Sequence, residues 1–476
     1  MSDSSERARG YPALADREAL LEALTRLISE AWDSFERPRS EEPELAADLA
    51  ERLEEGLPEL PIDAEVVLSD AARLLDESNS PSRPLYLGYI GSTGLEVGVL
   101  AEALAATYDI NLAVTARAAD LIERQSLEWV SEFVGFPAAE GAFTSGGMTS
   151  NLTAMLVARE RALPDCRRDG FAGRVGTVYC SAEAHHSIIR AVEAAGIGSA
   201  FARSIPIDDE RRLNVDDLER AIADDIEAGH TPVAVIANGG TTLTGTVDPI
   251  GAIADVCERH GVWLHVDGAY GLAAAATERA KPQFAGLERA DSATLDAHKW
   301  LGLQKSCSLV LVRDPGLLEA TFGHEEAYMR RPDSVRNAVE RTLEYSRPLR
   351  SLKLWLAFRT HGAAAFRAWI TGTLELAESF AEGVRASERL ELACEPSLST
   401  LCFRHVPGGE IDLDDHNLDL ATAIQRDGRV YLAAAVVDGQ TCLRVCFVNF
   451  RTRAEDVDFA LETITEIGDR LAAADG

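Results

Sequence analysis

The sequence contains very little lysine. Only four of its 46 lysine and arginine residues are lysines, so arginine carries almost all of the positive charge. A lysine amine can form an imine with an aldehyde, which a guanidinium in practice cannot do. Lys299 lies in the stretch TLDAHKWLG, between a histidine and a tryptophan. This setting makes Lys299 a candidate for a reactive lysine, although a salt bridge is the commoner role of any single lysine.

The chain also lacks long apolar runs, CxxC pairs and net positive charge. No run approaches the roughly 20 apolar residues of a membrane-spanning helix. The eight cysteines are scattered, which favours reduced, buried thiols over disulfides or a metal site. A formal net charge of -32 repels nucleic acids and anionic membranes. We therefore expect no nucleic-acid or membrane partner. The first residues lack the basic and apolar pattern of a signal peptide, so we also expect a cytoplasmic protein.

Acidic residues are spread along the whole chain and do not form a tail. Together with the scarcity of lysine, this pattern is typical of a halophilic surface adapted to concentrated salt, where charges are screened within about 3 Å at 1 M. An ordinary acidic protein from an arginine-rich and alanine-rich proteome is the alternative. Both interpretations concern the surroundings of the protein and leave its function open.

The pattern along the chain predicts three parts. Residues 1–94 form charged helices that end in a loop rich in proline, glycine and serine, residues 95–360 form a large domain, and residues 361–476 form a smaller α+β domain. In the middle part, short apolar strands alternate with amphipathic helices, which is typical of an α/β fold with a mostly parallel sheet covered on both faces. The predicted strands of that sheet are VGTVYCS (175–181), VAVIAN (233–238), VWLHVD (262–267), SATLD (292–296) and SLVLVR (308–313).

Polar groups follow several of these strands. Ligands of open parallel sheets bind beyond the carboxyl ends of the strands, so such groups are candidates for a site. Asp267 ends one strand, and His185 and Lys299 follow two others. The stretch FTSGGMTSNLTAML runs from a short strand through Gly146 and Gly147 into a helix, where backbone N–H groups can bind a phosphate.

Together these groups describe one ligand. An aldehyde suits Lys299, a protonated ring nitrogen suits the buried carboxylate of Asp267, a flat ring suits His185, and a phosphate suits the glycine turn. Pyridoxal phosphate carries all four features. Each element alone has a simpler explanation, since a Ser-Gly-Gly turn commonly caps a helix and Asp267 could cap the next one. Their conjunction in one chain favours the cofactor.

Eight segments carry a further signal: RPLYLGYIGS, TSGGMTSNLTAM, AHHSIIRA, GGTTLTGTVDPI, WLHVDGAYG, ADSATLDAHKWLG, RPLRSLKLWLAFRTHG and LRVCFVNFRTRAEDVD. Through them the sequence resembles the group II pyridoxal-phosphate-dependent amino-acid decarboxylases, the relatives of aromatic-L-amino-acid, glutamate, tyrosine and 2,4-diaminobutyrate decarboxylases. The resemblance covers roughly residues 80–460. It implies the pyridoxal-phosphate fold type I of aspartate aminotransferase, with a central, mostly parallel seven-stranded sheet.

The resemblance also implies roles for individual residues. Lys299 would hold the cofactor as a Schiff base, Asp267 would pair with its pyridine nitrogen, and His185 would stack on its ring. Tyr89 would line the substrate pocket. Separately from the resemblance, Arg444 could bind a substrate carboxylate or form a salt bridge within the small domain. The other cofactor contacts would be Gly146, Gly147, Met148, Thr242, Ala269 and His298.

The implied reaction is α-decarboxylation of an L-amino acid to its amine and CO2. The implied assembly is a homodimer with active sites at the subunit interface, in which the N-terminal helices pack on the partner chain. An aldehyde synthase or a carbon–carbon lyase on the same fold is the alternative. A cofactor-binding paralogue without turnover is a further one, although the joint presence of Lys299, Asp267, His185 and Thr242 argues against it. Aromatic, acidic and diamino substrates all stay open.

One departure from the family pattern concerns the proton donor. In the family, a loop tyrosine usually returns a proton to Cα of the product. Counting back from Arg350 places the equivalent position at Ala338, which has no hydroxyl group. Tyr328 and Tyr345 lie nearby, but at a different spacing. Either the loop aligns with gaps, or another group donates the proton, or the outcome is not simple decarboxylation.

Overall fold

A computed structural model describes residues 16–91, 93–113, 116–324 and 338–475. Within these ranges the strands are β1 (Glu140–Thr144), β2 (Gly176–Ser181), β3 (Ala202–Ile205), β4 (Thr231–Asn238), β5 (Trp263–Asp267), β6 (Ser292–Leu295), β7 (Ser308–Val312), β8 (Leu390–Leu392), β9 (Thr400–His405), β10 (Ala433–Val437) and β11 (Gln440–Cys446). The α-helices are α1 (Arg17–Phe35), α2 (Ala47–Leu53), α3 (Ala64–Asp76), α4 (Glu96–Tyr108), α5 (Ala118–Val134), α6 (Gly147–Ala162), α7 (Cys166–Asp169), α8 (Ser187–Ala194), α9 (Val215–Glu227), α10 (Ile250–His260), α11 (Leu317–Phe322), α12 (Ser351–Ala386), α13 (Leu413–Asp427) and α14 (Ala454–Asp475). Short 3₁₀ segments span Ser199–Phe201, Gly271–Ala276, Lys281–Phe284, Leu287–Arg289 and Ala338–Arg341.

A seven-stranded sheet forms the centre of the molecule, with the strand order β1-β7-β6-β5-β4-β2-β3. All neighbours from β6 to β3 pair in parallel, and β7 runs antiparallel to both β6 and β1. The predicted mostly parallel sheet is therefore confirmed. Sequence analysis missed β3, because this edge strand buries only its last residue and has no continuous apolar run.

Helices cover both faces of this sheet. Alternate residues of a strand point to opposite faces, so Val310 and Val312 of β7 pack into a core with α6 and α8, whereas Leu309 and Leu311 pack into a second core with α5 and α10. Seven of the eight cysteines are buried, and all eight are free thiols. The two cores hold the sheet rigidly, so the carboxyl ends of its parallel strands form a fixed edge.

A second, antiparallel sheet with the order β10-β11-β9-β8 lies in the C-terminal part. It packs against α12, α13 and α14 around the rings of Phe380, Phe403 and Phe447. Helix α12 runs between the two parts of the molecule and leaves helical geometry at Gly362 (φ 76°, ψ 151°). We keep the boundaries at residues 94 and 360 as proposals. Among the described residues, no helix is both long and apolar enough to cross a membrane.

A buried ion pair joins α5 to the segment that precedes α12. Arg347 donates from Nη2 to Oε1 of Glu123 (2.5 Å) and from Nη1 to Oε2 (2.7 Å), and the two side chains are 1% and 6% exposed. The carbonyl oxygen of Arg347 also accepts from the N–H of Leu112 (3.1 Å). This pair therefore ties the segment that leads into α12 to α5.

Removal of one partner leaves the other charge buried and unpaired. We expect Glu123→Ala to lower the free energy of unfolding by about 3–5 kcal/mol, measured by chemical denaturation. The double variant Glu123→Leu with Arg347→Met should lose less than Glu123→Ala alone. Glu128→Ala is the matched control, because Glu128 pairs with Arg124 on the exposed face of the same helix. Equal losses for Glu123→Ala and Glu128→Ala would contradict the prediction.

Candidate active site

A cavity of about 130 Å³ lies at the carboxyl edge of the seven-stranded sheet. Its walls come from the start of α6 and from the loops that follow β2, β4, β5 and β6, as expected for an open parallel sheet. Seven of the residues predicted from sequence line it: Gly147, Met148, His185, Thr242, Asp267, Ala269 and Lys299. Residues that are far apart in the chain therefore meet in one place.

Two other predicted residues lie beside the cavity without lining it. Gly146 immediately precedes α6. His298 is buried, its Nδ1 lies 2.9 Å from the carbonyl oxygen of Cys307, and its Nε2 lies 3.6 Å from Oδ2 of Asp296. Burial lowers the pKa of His298, so its ring is neutral at neutral pH.

The two predicted substrate contacts also lie outside this cavity. Tyr89 is 55% exposed, and its ring packs at a tilt against Tyr431 with centroids 6.2 Å apart. Arg444 is 5% exposed, and its Nη1 donates to the carbonyl oxygen of Gly88 (2.9 Å). Within the described part of the chain, its Nε and Nη2 have no hydrogen-bond partner and it forms no salt bridge. Buried donors of this kind are costly unless an acceptor binds them.

Lys299 combines both roles that the sequence left open. Its Nζ lies 3.1 Å from Oδ2 of Asp296, so it does form a salt bridge. Its side chain is also 23% exposed and lines the cavity, so the amine is accessible to a ligand. Sequence analysis did not single out Asp296, although it directly follows β6 as a polar residue at a strand end, the same signal that identified Asp267.

Asp267 is held by a hydrogen bond from the adjacent helix. Asn151 donates from Nδ2 to Oδ2 of Asp267 (2.9 Å), and the N–H of Ala269 donates to Oδ1 (3.2 Å). An ionised carboxylate can only accept, so the amide nitrogen of Asn151 must face it. The amide oxygen Oδ1 of Asn151 then faces Nε2 of His265 at 3.1 Å. Consequently Nε2 of His265 carries a proton.

His265 continues this chain of hydrogen bonds away from the cavity. Burial lowers its pKa to about 4, so the ring is neutral and Nδ1 accepts. Nδ1 lies 2.8 Å from Oγ of Ser292, which in turn accepts from the indole N–H of Trp263 (2.9 Å). Because the indole N–H can only donate, each group in this series of hydrogen bonds donates to the next one in the direction from Trp263 to Asp267. The direction of the chain is therefore fixed at both ends.

A branch of the same chain reaches His185. Asn151 donates to Oγ of Ser187 (3.2 Å), and Oγ lies 2.8 Å from Nδ1 of His185. The N–H of Ser187 also donates to Nδ1 (3.2 Å). Burial lowers the pKa of His185, so the ring is neutral, and because Nδ1 accepts, its proton is on Nε2. The cavity therefore has an uncharged imidazole on one side.

Gly147 lies where no side chain fits. A Cβ at this position would lie 2.9 Å from Oδ2 of Asp296 and 3.1 Å from Cβ of Ala269. Gly147 also begins α6, so the N-terminus of a 16-residue helix borders the cavity. Helix N-termini favour anions. The glycine lets the side chains of Asp296 and Ala269 pack against the first turn of α6.

The neutral state of His265 makes stability depend on pH. In the unfolded chain His265 has a pKa near 6.5, whereas in the folded protein its pKa is about 4. As the pH falls below 6.5, the unfolded chain binds a proton and the folded protein does not. The contribution of His265 to the free energy of unfolding is therefore complete above pH 6.5 and is lost as the pH falls towards 4. Glutamine cannot ionise, so the stability difference between wild type and His265→Gln should narrow by about 2 kcal/mol between pH 7 and pH 5. Thermal unfolding across this range measures it.

His361→Gln is the control, because His361 is exposed and takes no part in this hydrogen-bond network. A difference for His265→Gln that is also constant between pH 7 and pH 5 would show that folded His265 takes up its proton as readily as an unfolded histidine does, which would contradict the lowered pKa.

Comparisons with known proteins agree with this geometry. Residues 47–406 match the family described as "Pyridoxal-dependent decarboxylase conserved domain". The chain is 32% identical over 422 residues to an aromatic-L-amino-acid decarboxylase of Bacillus atrophaeus, a match that covers 86% of each chain. It is 34% identical over 359 residues to an L-2,4-diaminobutyrate decarboxylase of Rhizobium meliloti (strain 1021), covering 74% of this chain and 71% of the relative. The crystal structure of Oryza sativa TDC with PLP and tryptamine matches with a TM-score of 0.90 at 26% identity, covering 97% of this chain and 99% of that one.

The residues of the cavity fit pyridoxal phosphate. An accessible amine, an oriented buried carboxylate and a helix N-terminus lie around one cavity. One oxygen of the buried Asp296, Oδ1, has no hydrogen-bond partner among the described residues. With the match over residues 47–406, these features identify the chain as a member of the pyridoxal-dependent decarboxylase family, whose cofactor is pyridoxal phosphate and whose reaction is amino-acid decarboxylation.

Proposed function

We propose that the protein is an L-amino-acid α-decarboxylase in which Lys299 holds pyridoxal phosphate through a Schiff base. The reaction releases CO2 and the corresponding amine. The observation that carries this proposal is the meeting of Lys299, Asp267 and His185 around one cavity. An amine, a carboxylate and a neutral imidazole in this arrangement match the aldehyde, the ring nitrogen and the ring face of the cofactor.

When bound, pyridoxal phosphate supplies a ring that accepts the electron pair left behind by CO2. In this proposal Asp267 would keep the ring nitrogen protonated, and Asn151 holds Asp267 through a hydrogen bond. His185, an uncharged hydrogen-bond donor, would lie against one face of the ring, and Ala269 would lie against the other. The remaining proposed cofactor contacts are Gly146, Gly147, Met148, Thr242 and His298.

Arg444 and Tyr89 are proposed to lie at the substrate end of the site. A buried guanidinium with two unpartnered nitrogen atoms is suited to bind a carboxylate. Gly88, whose carbonyl oxygen accepts from Arg444, is the neighbour of Tyr89, so the two proposed contacts belong to one local structure. The exposed ring of Tyr89 is available to a ligand or to a second subunit.

We also propose a homodimer with active sites at the subunit interface, in which the N-terminal helices pack on the partner. Many large apolar side chains in and next to α1–α4 are exposed, more than a stable surface usually carries in one region. The exposed side chains are Leu21, Leu24, Leu45, Leu53, Leu57, Leu60, Ile62, Val66, Val67, Leu75, Leu100, Leu104, Tyr108 and Ile110.

A cytoplasmic location and adaptation to concentrated salt are part of the same proposal. The acidic composition supports the adaptation to salt.

An aldehyde synthase or a carbon–carbon lyase is the second candidate. Ala338, which stands at the expected position of the loop tyrosine, is 4% exposed and has no hydroxyl group. Tyr328 lies outside the described residues. Tyr345 is 40% exposed and its hydroxyl group contacts Nε2 of His324. A site without the usual proton donor could direct the reaction to another product.

Product analysis separates these functions. Purified protein with added pyridoxal phosphate, in molar salt, is incubated with aromatic, acidic and diamino L-amino acids, and the products are identified by mass spectrometry. We expect an amine from one class, and we expect Lys299→Arg to abolish its formation because a guanidinium forms no imine. Lys281→Arg is the matched control and should retain activity, because Lys281 is exposed outside the cavity.

An aldehyde as the product would replace decarboxylation by the second candidate. No product from a protein that has bound the cofactor would contradict both enzymatic functions and favour a paralogue without turnover.

A further inference from the structure

Two of the residues that line the cavity, Ala269 and Lys299, are each followed by a buried aromatic residue. Ala269 follows β5, and Lys299 follows β6. Tyr270 and Trp300 are 3% and 0% exposed, and their rings stack with centroids 5.1 Å apart and planes inclined by 14°. Because β5 and β6 are neighbours in the sheet, the stack joins the two loops beyond their carboxyl ends.

The hydroxyl group of Tyr270 is held by the C-terminal part of the chain. The N–H of Ser399 donates to Oη of Tyr270 (3.1 Å), and Oγ of Ser399 and Oγ1 of Thr400 lie 2.5 Å and 3.2 Å from it. Ser399 directly precedes β9, and Thr400 begins it. A hydroxyl group has one donor and two acceptor positions, so these three contacts satisfy it. The second sheet therefore sets the direction of the ring.

Trp300 is held in a similar way by α12. Its indole N–H donates to Oγ1 of Thr373 (2.9 Å), which in turn donates to the carbonyl oxygen of Ile370 (2.9 Å). Displacement of either ring would leave buried polar groups without a partner, which costs free energy. The stack is thus fixed at both ends by residues that do not line the cavity.

We propose that Tyr270 and Trp300 are positioning residues for the reaction. Through the peptide bonds to their neighbours, the stacked rings set the separation between Ala269 and the amine of Lys299. The rings take no part in the chemistry and act only through these two neighbours. This inference rests on the proposed function, in which the cofactor lies between Ala269 and His185 and is held by Lys299.

The separation matters because one amine serves two steps. Lys299 binds the cofactor, and after the substrate amine has replaced it, the same amine must stay close enough to release the product. The four-carbon stem of a lysine is flexible, so the backbone has to supply the precision. A displacement of about 1 Å at a reacting group can cost roughly a hundredfold in rate.

Tyr270→Phe tests the proposal, because it keeps the ring and removes the hydroxyl group. The matched control is Tyr179→Phe, since Tyr179 is also buried and its hydroxyl group also contacts two side chains, Thr177 and Asp225, outside the cavity. Stopped-flow absorbance follows formation of the Schiff base with added pyridoxal phosphate, and chemical denaturation measures stability. We expect both variants to lose stability and only Tyr270→Phe to form the Schiff base more slowly, by about tenfold.

Steady-state kinetics gives a further measure. Tyr270→Phe should lower kcat about tenfold and change KM by less than about threefold, because the lost contacts do not reach the substrate. Wild-type values of kcat and of the Schiff-base rate in Tyr270→Phe, with stability lost as in Tyr179→Phe, would show that the stack is core packing only. Equal losses of the Schiff-base rate in both variants would also overturn the proposal, since lower stability would then be the cause.

Thr373→Val perturbs the same pair from the other side. It removes the acceptor of the Trp300 N–H without changing either ring. We expect slower Schiff-base formation again. In the double variant with Tyr270→Phe, the combined loss should be smaller than the product of the two single losses, because both act through one stack. A wild-type rate for Thr373→Val, or a combined loss equal to that product, would overturn the claim that the two rings act as a unit.

The proposed function fails separately. If no amino acid is decarboxylated but Tyr270→Phe forms the Schiff base more slowly than Tyr179→Phe, the reaction is removed and the positioning of Lys299 is retained. If Tyr270→Phe forms the amine at the wild-type rate, the proposed function stands and the positioning role is lost.

Discussion

The carboxylate of Asp267 lies almost out of water at the end of β5, at 7% exposure, and the surrounding site holds it oriented. A buried charge of this kind is stable only with donors that are fixed in direction and with a positive partner. Asn151 and the backbone of Ala269 supply the donors. In the proposed function, the positive partner is the protonated ring nitrogen of the cofactor. The reaction therefore depends on Asp267 being ionised and oriented towards that nitrogen.

Helix α6 connects the two ends of the site. Its first residue, Gly147, borders the proposed phosphate position, and Asn151, about one turn later, orients Asp267 at the other end. Asn151 also contacts Ser187 and thereby sets the tautomer of His185. Asn151 lies on a helix and Asp267 at the end of a strand, and such elements hold side chains more precisely than loops do.

Much of this arrangement follows from local sequence patterns. Apolar strands followed by polar residues predict both the parallel sheet and the edge at which Lys299, Asp267 and His185 meet. The hydrogen-bond network behind Asp267 could not be predicted from the sequence. Trp263 and Ser292 are brought together only by strand pairing, and their residue types do not by themselves indicate a shared network. The same holds for the Glu123–Arg347 pair, whose partners are far apart in the chain.

Two features do have a signal in the sequence. Asp296 directly follows a strand as a polar residue, which is the same pattern that identifies Asp267. The edge strand β3 lacks the apolar run that central strands need, so only the regular spacing of strand and helix could have indicated it. The proton donor is a harder case, because the loop that would supply it falls largely within residues 325–337, outside the described ranges.

The central claim is that Lys299 binds the cofactor covalently, and the scarcity of lysine makes it directly testable. Borohydride reduction of the protein after incubation with pyridoxal phosphate, followed by mass mapping of its peptides, identifies the modified residue among Lys281, Lys299, Lys305 and Lys353. The account predicts a phosphopyridoxyl group on Lys299 alone. A label on another lysine, or no label on protein that has bound the cofactor, would contradict it.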